Sequence, residues 1–155
     1  KLILASSGSS HPEAKGIPLA MCRDMVRMGF EGYIRQHTIE MGWTKEFVVA
    51  HPDLIEKFLQ VRMSGIAPLE NYLHFVLARQ EHDHTDRLKE IRVHTLVLVG
   101  DDEKHSAADK THWHAAHELA REIPNAKLVV LPGEGHHYLA TNPDLAHKAI
   151  REFIE

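Results

Sequence analysis

The sequence predicts an α/β fold, a partial, doubly wound, mostly parallel sheet into which an all-helical block is inserted. Three observations carry this. First, the runs Leu2-Ile3-Leu4, Leu96-Val97-Leu98-Val99 and Leu128-Val129-Val130-Leu131 are short, aliphatic and free of polar alternation. Strands buried on both faces of a parallel sheet read that way. Second, a helical stretch separates the second run from the third, which makes a βαβ unit with a right-handed crossover. Third, from about Ile17 to Glu90 the chain holds only amphipathic helical patterns separated by Pro and Gly.

In order, the first strand occupies Lys1 to Ala5. No initiator Met, basic n-region or signal-peptide core precedes it, which predicts a cytoplasmic location. A domain that opens in mid-strand also carries the expectation that an upstream part is missing. Pro18 starts a helix with Ile17, Met21, Met25 and Met28 on one face, ending near Gly29. A second helix is expected from about Phe30 to Met41. Pro52 opens a third, with Leu54, Ile55, Phe58 and Leu59 at helical spacing and Gly65 as its stop. Pro68 opens a fourth, with Leu69, Tyr72, Leu73, Val76 and Leu77 on one face. The polar stretch Gln80 to Asp86 is the expected return loop. The helix inside the βαβ unit is expected over 107–123, with His112, Ala116, Leu119 and Ile123 on one face. Asn142 suits an N-cap with Pro143 at the first helical position, where a missing N–H costs nothing. Leu145, Ala149, Ile150, Phe153 and Ile154 then form the stripe of a terminal helix covering one sheet face. The expected divisions are 1–12 (core strand and loop), 13–90 (helical block) and 91–155 (the rest of the core).

Composition narrows the function classes. A chain of 155 residues is about one domain by length. Lys plus Arg is 18 against 22 Asp plus Glu, a formal charge of −4. That balance argues against a nucleic-acid surface or an anionic-membrane surface, both of which need clustered positive charge. The lone Cys22 excludes an internal disulfide framework and a Cys-based zinc site. The apolar runs are far shorter than the roughly 20 residues of a membrane span. Histidine is abundant at 14 residues, and full protonation would carry the charge from −4 to +10. His114 and His117 lie one helical turn apart, and His82 and His84 two residues apart. No H-E-x-x-H motif or His–carboxylate set at metalloenzyme spacing occurs, so no metal and no cofactor is expected.

Chemistry is expected beyond the carboxyl ends of the strands, where open α/β sheets place their working residues. The second run leads into Gly100-Asp101-Asp102-Glu103, and the third into Gly133-Glu134-Gly135-His136-His137. If the two strands are neighbours, an acid and an imidazole converge at one sheet edge. A carboxylate that holds an imidazole tautomer, and stabilises the imidazolium formed on proton uptake, is the base-and-orienter part of a nucleophilic triad.

The stretch from Ile91 to Glu103, followed by Ala126 to His136, resembles the C-terminal half of an α/β-hydrolase. A strand ends in Gly-x-x-acid, and a helix, a strand and a Gly-His turn with a Pro-started helix follow in order. The resemblance implies that the 13–90 block is the family's inserted lid, and that Lys1 to Ala5 is the strand after the nucleophile-bearing helix. It assigns His136 as catalytic base and Glu103 as catalytic acid, with Asp102 taking the acid's place if the turn is shifted by one residue. Glu stands where Asp is commoner, His94 replaces the usual Pro before the strand, and His137 stands where an aromatic is frequent. The family's G-x-S-x-G nucleophile elbow is absent. Ser6-Ser7-Gly8-Ser9-Ser10 lacks the second Gly and leads into a loop containing Pro12.

The implied function is an esterase, thioesterase or lactonase-like hydrolase whose nucleophile lies outside this chain, so that the chain alone would be inactive. A small apolar or aromatic acyl substrate follows from the lid. Met21, Met25, Met28, Phe30, Tyr33 and Trp43 are its candidate contacts, Met being adaptable to irregular apolar ligands. The competing expectation is non-catalytic: a truncated hydrolase-fold protein acting as an interaction module. It would associate with itself or with the missing N-terminal half through an open sheet edge at Lys1 to Ala5.

Overall fold

The computed structural model describes residues 1–10, 17–101 and 110–155. They divide into two compact units, one of residues 1–10 and 83–155, the other of residues 11–82.

The first unit is built on a parallel sheet of three strands, β1 (Leu2–Ala5), β2 (Thr95–Gly100) and β3 (Ala126–Leu131), in the order β1-β2-β3. Register runs Leu2 to Thr95 on one side of β2 and Thr95 to Ala126 on the other. Every residue of β2 is buried, whereas β1 and β3 are half-buried. The expectation of burial on both faces therefore holds only for the central strand. β1 and β3 each pair on one side only among the described residues, and Val130 remains 37% exposed.

The pleat splits β2 between two cores. Val97 and Val99 pack with Ala116 and Leu119 of α5 (Lys110–Glu122), with Ile123 just beyond its end and with Leu88. Leu96 and Leu98 pack with Leu131, Tyr138 of the short α6 (Tyr138–Thr141) and Ala146 of α7 (Pro143–Ile154). Helices thus cover both faces, the doubly wound arrangement. At the head of α7 the Leu145 N–H donates to the Asn142 side chain at 3.3 Å, with Pro143 in the first turn. At its tail Lys1 Nζ donates to the carbonyls of Phe153 and Ile154, which a helix C-terminus leaves unpaired.

Leu88 lies in a 3₁₀ turn (Thr85–Glu90), so this segment belongs to the sheet unit rather than to the helical block. The return into that unit is clamped by side chains. Ser9, 5% exposed, shares a 3.0 Å hydrogen bond with the Thr85 hydroxyl and donates to Glu118 at 3.0 Å.

The second unit is all helical. α1 (Leu19–Gly42) is broken at Gly29, whose φ of 77° and ψ of 164° are not helical. The break therefore falls where the Gly divides the pattern, and Gly supplies the positive φ at no steric cost. α3 (Pro52–Ser64) and α4 (Leu69–Glu81) start and stop near the Pro and Gly punctuation. A six-residue helix, α2 (Lys45–Ala50), was not anticipated, and the Thr44 hydroxyl caps it by accepting from Phe47 N–H at 3.2 Å. Among the described residues no helix is long and apolar enough to cross a membrane.

Candidate active site

The site is built where β2 and β3 end. Their parallel register sets Gly100 opposite Leu131, and Asp101 N–H donates to the Leu131 carbonyl at 2.9 Å, carrying the pairing one residue further. β3 then turns through Gly133, whose φ of 73° is the left-handed conformation that Gly adopts freely. This turn folds back onto the end of β2. A Cβ built on Gly100 would overlap the Glu134 carbonyl oxygen and lie 2.8 Å from the Gly135 oxygen. Only a hydrogen at that position lets the two strand ends close so tightly.

Glu134 anchors the turn. Its carboxylate accepts from the Thr141 hydroxyl at 2.5 Å and from the Asn142 side-chain amide at 2.9 Å. Asn142 therefore serves two purposes, since its own oxygen caps α7. Tyr138, 1% exposed, donates its phenol to the Leu98 carbonyl at 3.4 Å and ties α6 to β2. The segment from Gly133 to Asn142 is thus held at both ends, and His136 lies in its middle.

His136 is half-buried and has two aromatic neighbours of its own kind. The His112 ring of α5 lies 4.6 Å away, centroid to centroid, at a tilt of 32°. The His137 ring is 5.2 Å away at 65°, close to edge-on. An imidazole held this way, just beyond the carboxyl end of a parallel strand, can accept a proton from a hydroxyl or water brought to that edge. Glu103 and Asp102, the expected acids, lie outside the described residues, so the acid–imidazole pair is not part of this geometry.

The six expected substrate contacts lie in the helical unit. Met21, Tyr33 and Trp43 are 8–9% exposed and pack in its cores. Met25, Met28 and Phe30 are half-buried against the Met21–Tyr33–Ile34 cluster. Trp43 stacks on Phe47 at 5.3 Å and meets Phe58 edge-on at 5.1 Å. A surface groove of about 530 Å³ in the same unit is lined instead by Ile17, Leu69, Glu70, Leu73, His74 and Leu77. Burial, followed by hydrogen bonding and charge from Tyr72, pushes the Tyr33 phenol up to about 12. Burial, reinforced by Arg62, pushes the His37 imidazole below its ordinary value. Among the described residues no cluster of three or more His, Cys, Asp or Glu side chains is arranged to hold a metal ion.

Sequence reasoning missed three contributors. Gly100 gave no signal beyond being a Gly at a strand end, and Glu134 none beyond its place in the turn. His112 did give one, being a histidine on the otherwise apolar inward face of its helix.

No family model matches the chain. A curated relative from Serratia proteamaculans, named "Putative carbamate hydrolase RutD", is 24% identical over 120 residues, 77% of this chain and 43% of that protein. A thermophilic esterase from Thermogutta terrifontis, solved with malate bound, superposes with a TM-score of 0.72 at 29% identity. That match covers 99% of this chain and 54% of the esterase. An α/β hydrolase enzyme from a Medee basin deep-sea metagenome library superposes with a TM-score of 0.70 at 19% identity, covering 98% and 55% of the two chains. The chain spans less than half of that curated relative's length and just over half of each of those structures.

Proposed function

This chain has the α/β-hydrolase fold, and from that premise we propose that it is part of a hydrolase that cleaves an ester, thioester or lactone-like acyl bond. His136 is the general base of a nucleophile–acid–histidine triad. The observation that carries this reading is the placement of His136 at mid-span of a loop anchored at both ends, immediately beyond the carboxyl edge of the sheet. A loop secured by Glu134, Thr141 and Asn142 holds the backbone that bears the imidazole in one place, and proton transfer requires a base so placed.

In this mechanism the nucleophile is supplied by a segment outside the chain. His136 takes its proton as the nucleophile attacks the acyl carbon, and hands that proton to the departing alcohol or thiol. It then removes a proton from water as the water attacks the acyl carbon, and returns that proton to the nucleophile as the acid is released. Glu103 orients His136 and stabilises its imidazolium form, with Asp102 as the alternative orienter. Met21, Met25, Met28, Phe30, Tyr33 and Trp43 of the helical unit are the proposed apolar contacts for the acyl group. The chemistry calls for no cofactor.

The test uses the full-length gene product with a fluorophosphonate and a short p-nitrophenyl ester. His136→Ala lowers both the labelling rate and kcat by about 10²- to 10⁴-fold, and Glu103→Gln costs more than Asp102→Asn. Labelling and turnover unchanged in His136→Ala would falsify the assignment.

A further inference from the structure

We propose that His112 is a positioning residue for His136: its imidazole face is the wall on which the base rests, fixing the base's ring plane. This inference depends on the reading of His136 as the base.

His136 belongs to a stretch with Gly at 133 and 135, where the backbone is permissive, and the ring torsion of a histidine is broad. The hydrogen bonds of Glu134 and Tyr138 hold the backbone on either side, but they do not fix the plane of the ring between them. The two neighbouring rings restrain that plane directly. The His112 ring lies 4.6 Å away at a tilt of 32°, within the separation over which aromatic rings attract one another. His137 closes a second side at 5.2 Å and 65°. A base bracketed by two rings keeps far less torsional freedom than one facing solvent.

The platform itself is rigid. His112 leads a stripe on α5 that continues through Ala116 and Leu119 and on to Ile123 just past its end; these are 0%, 3% and 2% exposed beneath Val97 and Val99. That stripe sets the rotation of α5 about its axis, so the direction in which His112 projects is fixed by the sheet's core. The neighbouring ring therefore transmits the position of the β2–α5 layer to an imidazole borne by the loop after β3. An aliphatic core residue at 112 would fill the space without offering a flat face.

The experiment uses the full-length gene product and the p-nitrophenyl ester, with active sites counted by fluorophosphonate titration. In His112→Leu, which keeps the volume but not the flat face, kcat falls about tenfold or more with KM within about twofold, as expected for a misoriented base. In His112→Phe, which keeps a flat ring, kcat returns to within about threefold of the parent. Thermal midpoints of the two variants report whether folding alone explains a loss. The proposal is overturned if kcat is unaffected in His112→Leu, if Leu and Phe lose it equally, or if the loss follows the thermal midpoint. His136→Ala, run in parallel, separates the two claims. Full activity there removes the base assignment, while loss there with a neutral His112→Leu removes only the positioning role.

Discussion

Gly100→Ala tests whether the carboxyl end of β2 and the His136 loop form one closed unit. The added methyl would sit 2.8 Å from the Gly135 oxygen and overlap the Glu134 carbonyl, where ordinary van der Waals contact begins at 3.4 Å. The loop must therefore withdraw by at least ~0.6 Å at Gly135, the residue before His136, and further at Glu134. Both obstacles are backbone, so no side chain can swing aside. Nor is the loop free to move, because Glu134 is bonded to Thr141 and Asn142 and the latter caps α7. Overpacking against such a fixed neighbour costs about 1–3 kcal/mol. A displacement approaching 1 Å at a catalytic group lowers kcat by about 10- to 100-fold. Urea unfolding of this chain reads the first quantity, and ester turnover by the full-length gene product reads the second. A Gly100→Ala variant within ~0.5 kcal/mol of the parent and with unchanged kcat would refute the steric closure, and with it the rigidity ascribed to the site.

Glu134→Ala removes the acceptor of two side-chain hydrogen bonds and should lower stability in urea by about 1–3 kcal/mol, with Glu134→Gln losing less because it retains an acceptor. Equal midpoints for parent and Ala variant would show that the loop is held by other means. Leu98→Ala, at a position that is 0% exposed in the core beneath α6 and α7, should cost about 2–5 kcal/mol by the same measurement. His37 has a pKa pushed below its ordinary 6.5 by burial and by Arg62 and Arg79, with Glu40 opposing. The unfolded chain then binds the proton first as pH falls, so the stability contributed is full above pH 6.5 and is lost progressively towards the lowered folded value. His37→Phe should flatten the urea midpoint against pH between about 7.5 and 5, and an unaltered slope would assign that pH dependence to other histidines.

How much was legible in the chain depended on how far apart the cooperating residues lie. The N-cap at Asn142, the Pro143 start and the break at Gly29 each follow from the steric and hydrogen-bonding demands of one or two residues. The short α2 escaped because six residues carry too little periodicity, and only the Thr44 cap announces it. The sheet edge at which His136 lies was legible from the two Gly turns. The anchor of the His136 loop was not, because Glu134 meets Thr141 and Asn142 only when the intervening segment closes. His112 was visible as a histidine on the inward face of its helix, yet its partner lies across a strand and a turn.

From the sequence alone came the α/β class, the helical insertion, the order of strands and helices along the chain and the histidine beyond the last strand. All are set by periodicity, caps and turns acting over a few residues. Only the tertiary structure decided that β2 is central and fully buried while its neighbours stay half-buried. It alone decided that Gly100 has room for nothing larger than hydrogen, and that the His136 ring rests on His112. Those facts depend on strand register and on the rotation of α5 against the sheet, which long-range packing sets and no local pattern encodes.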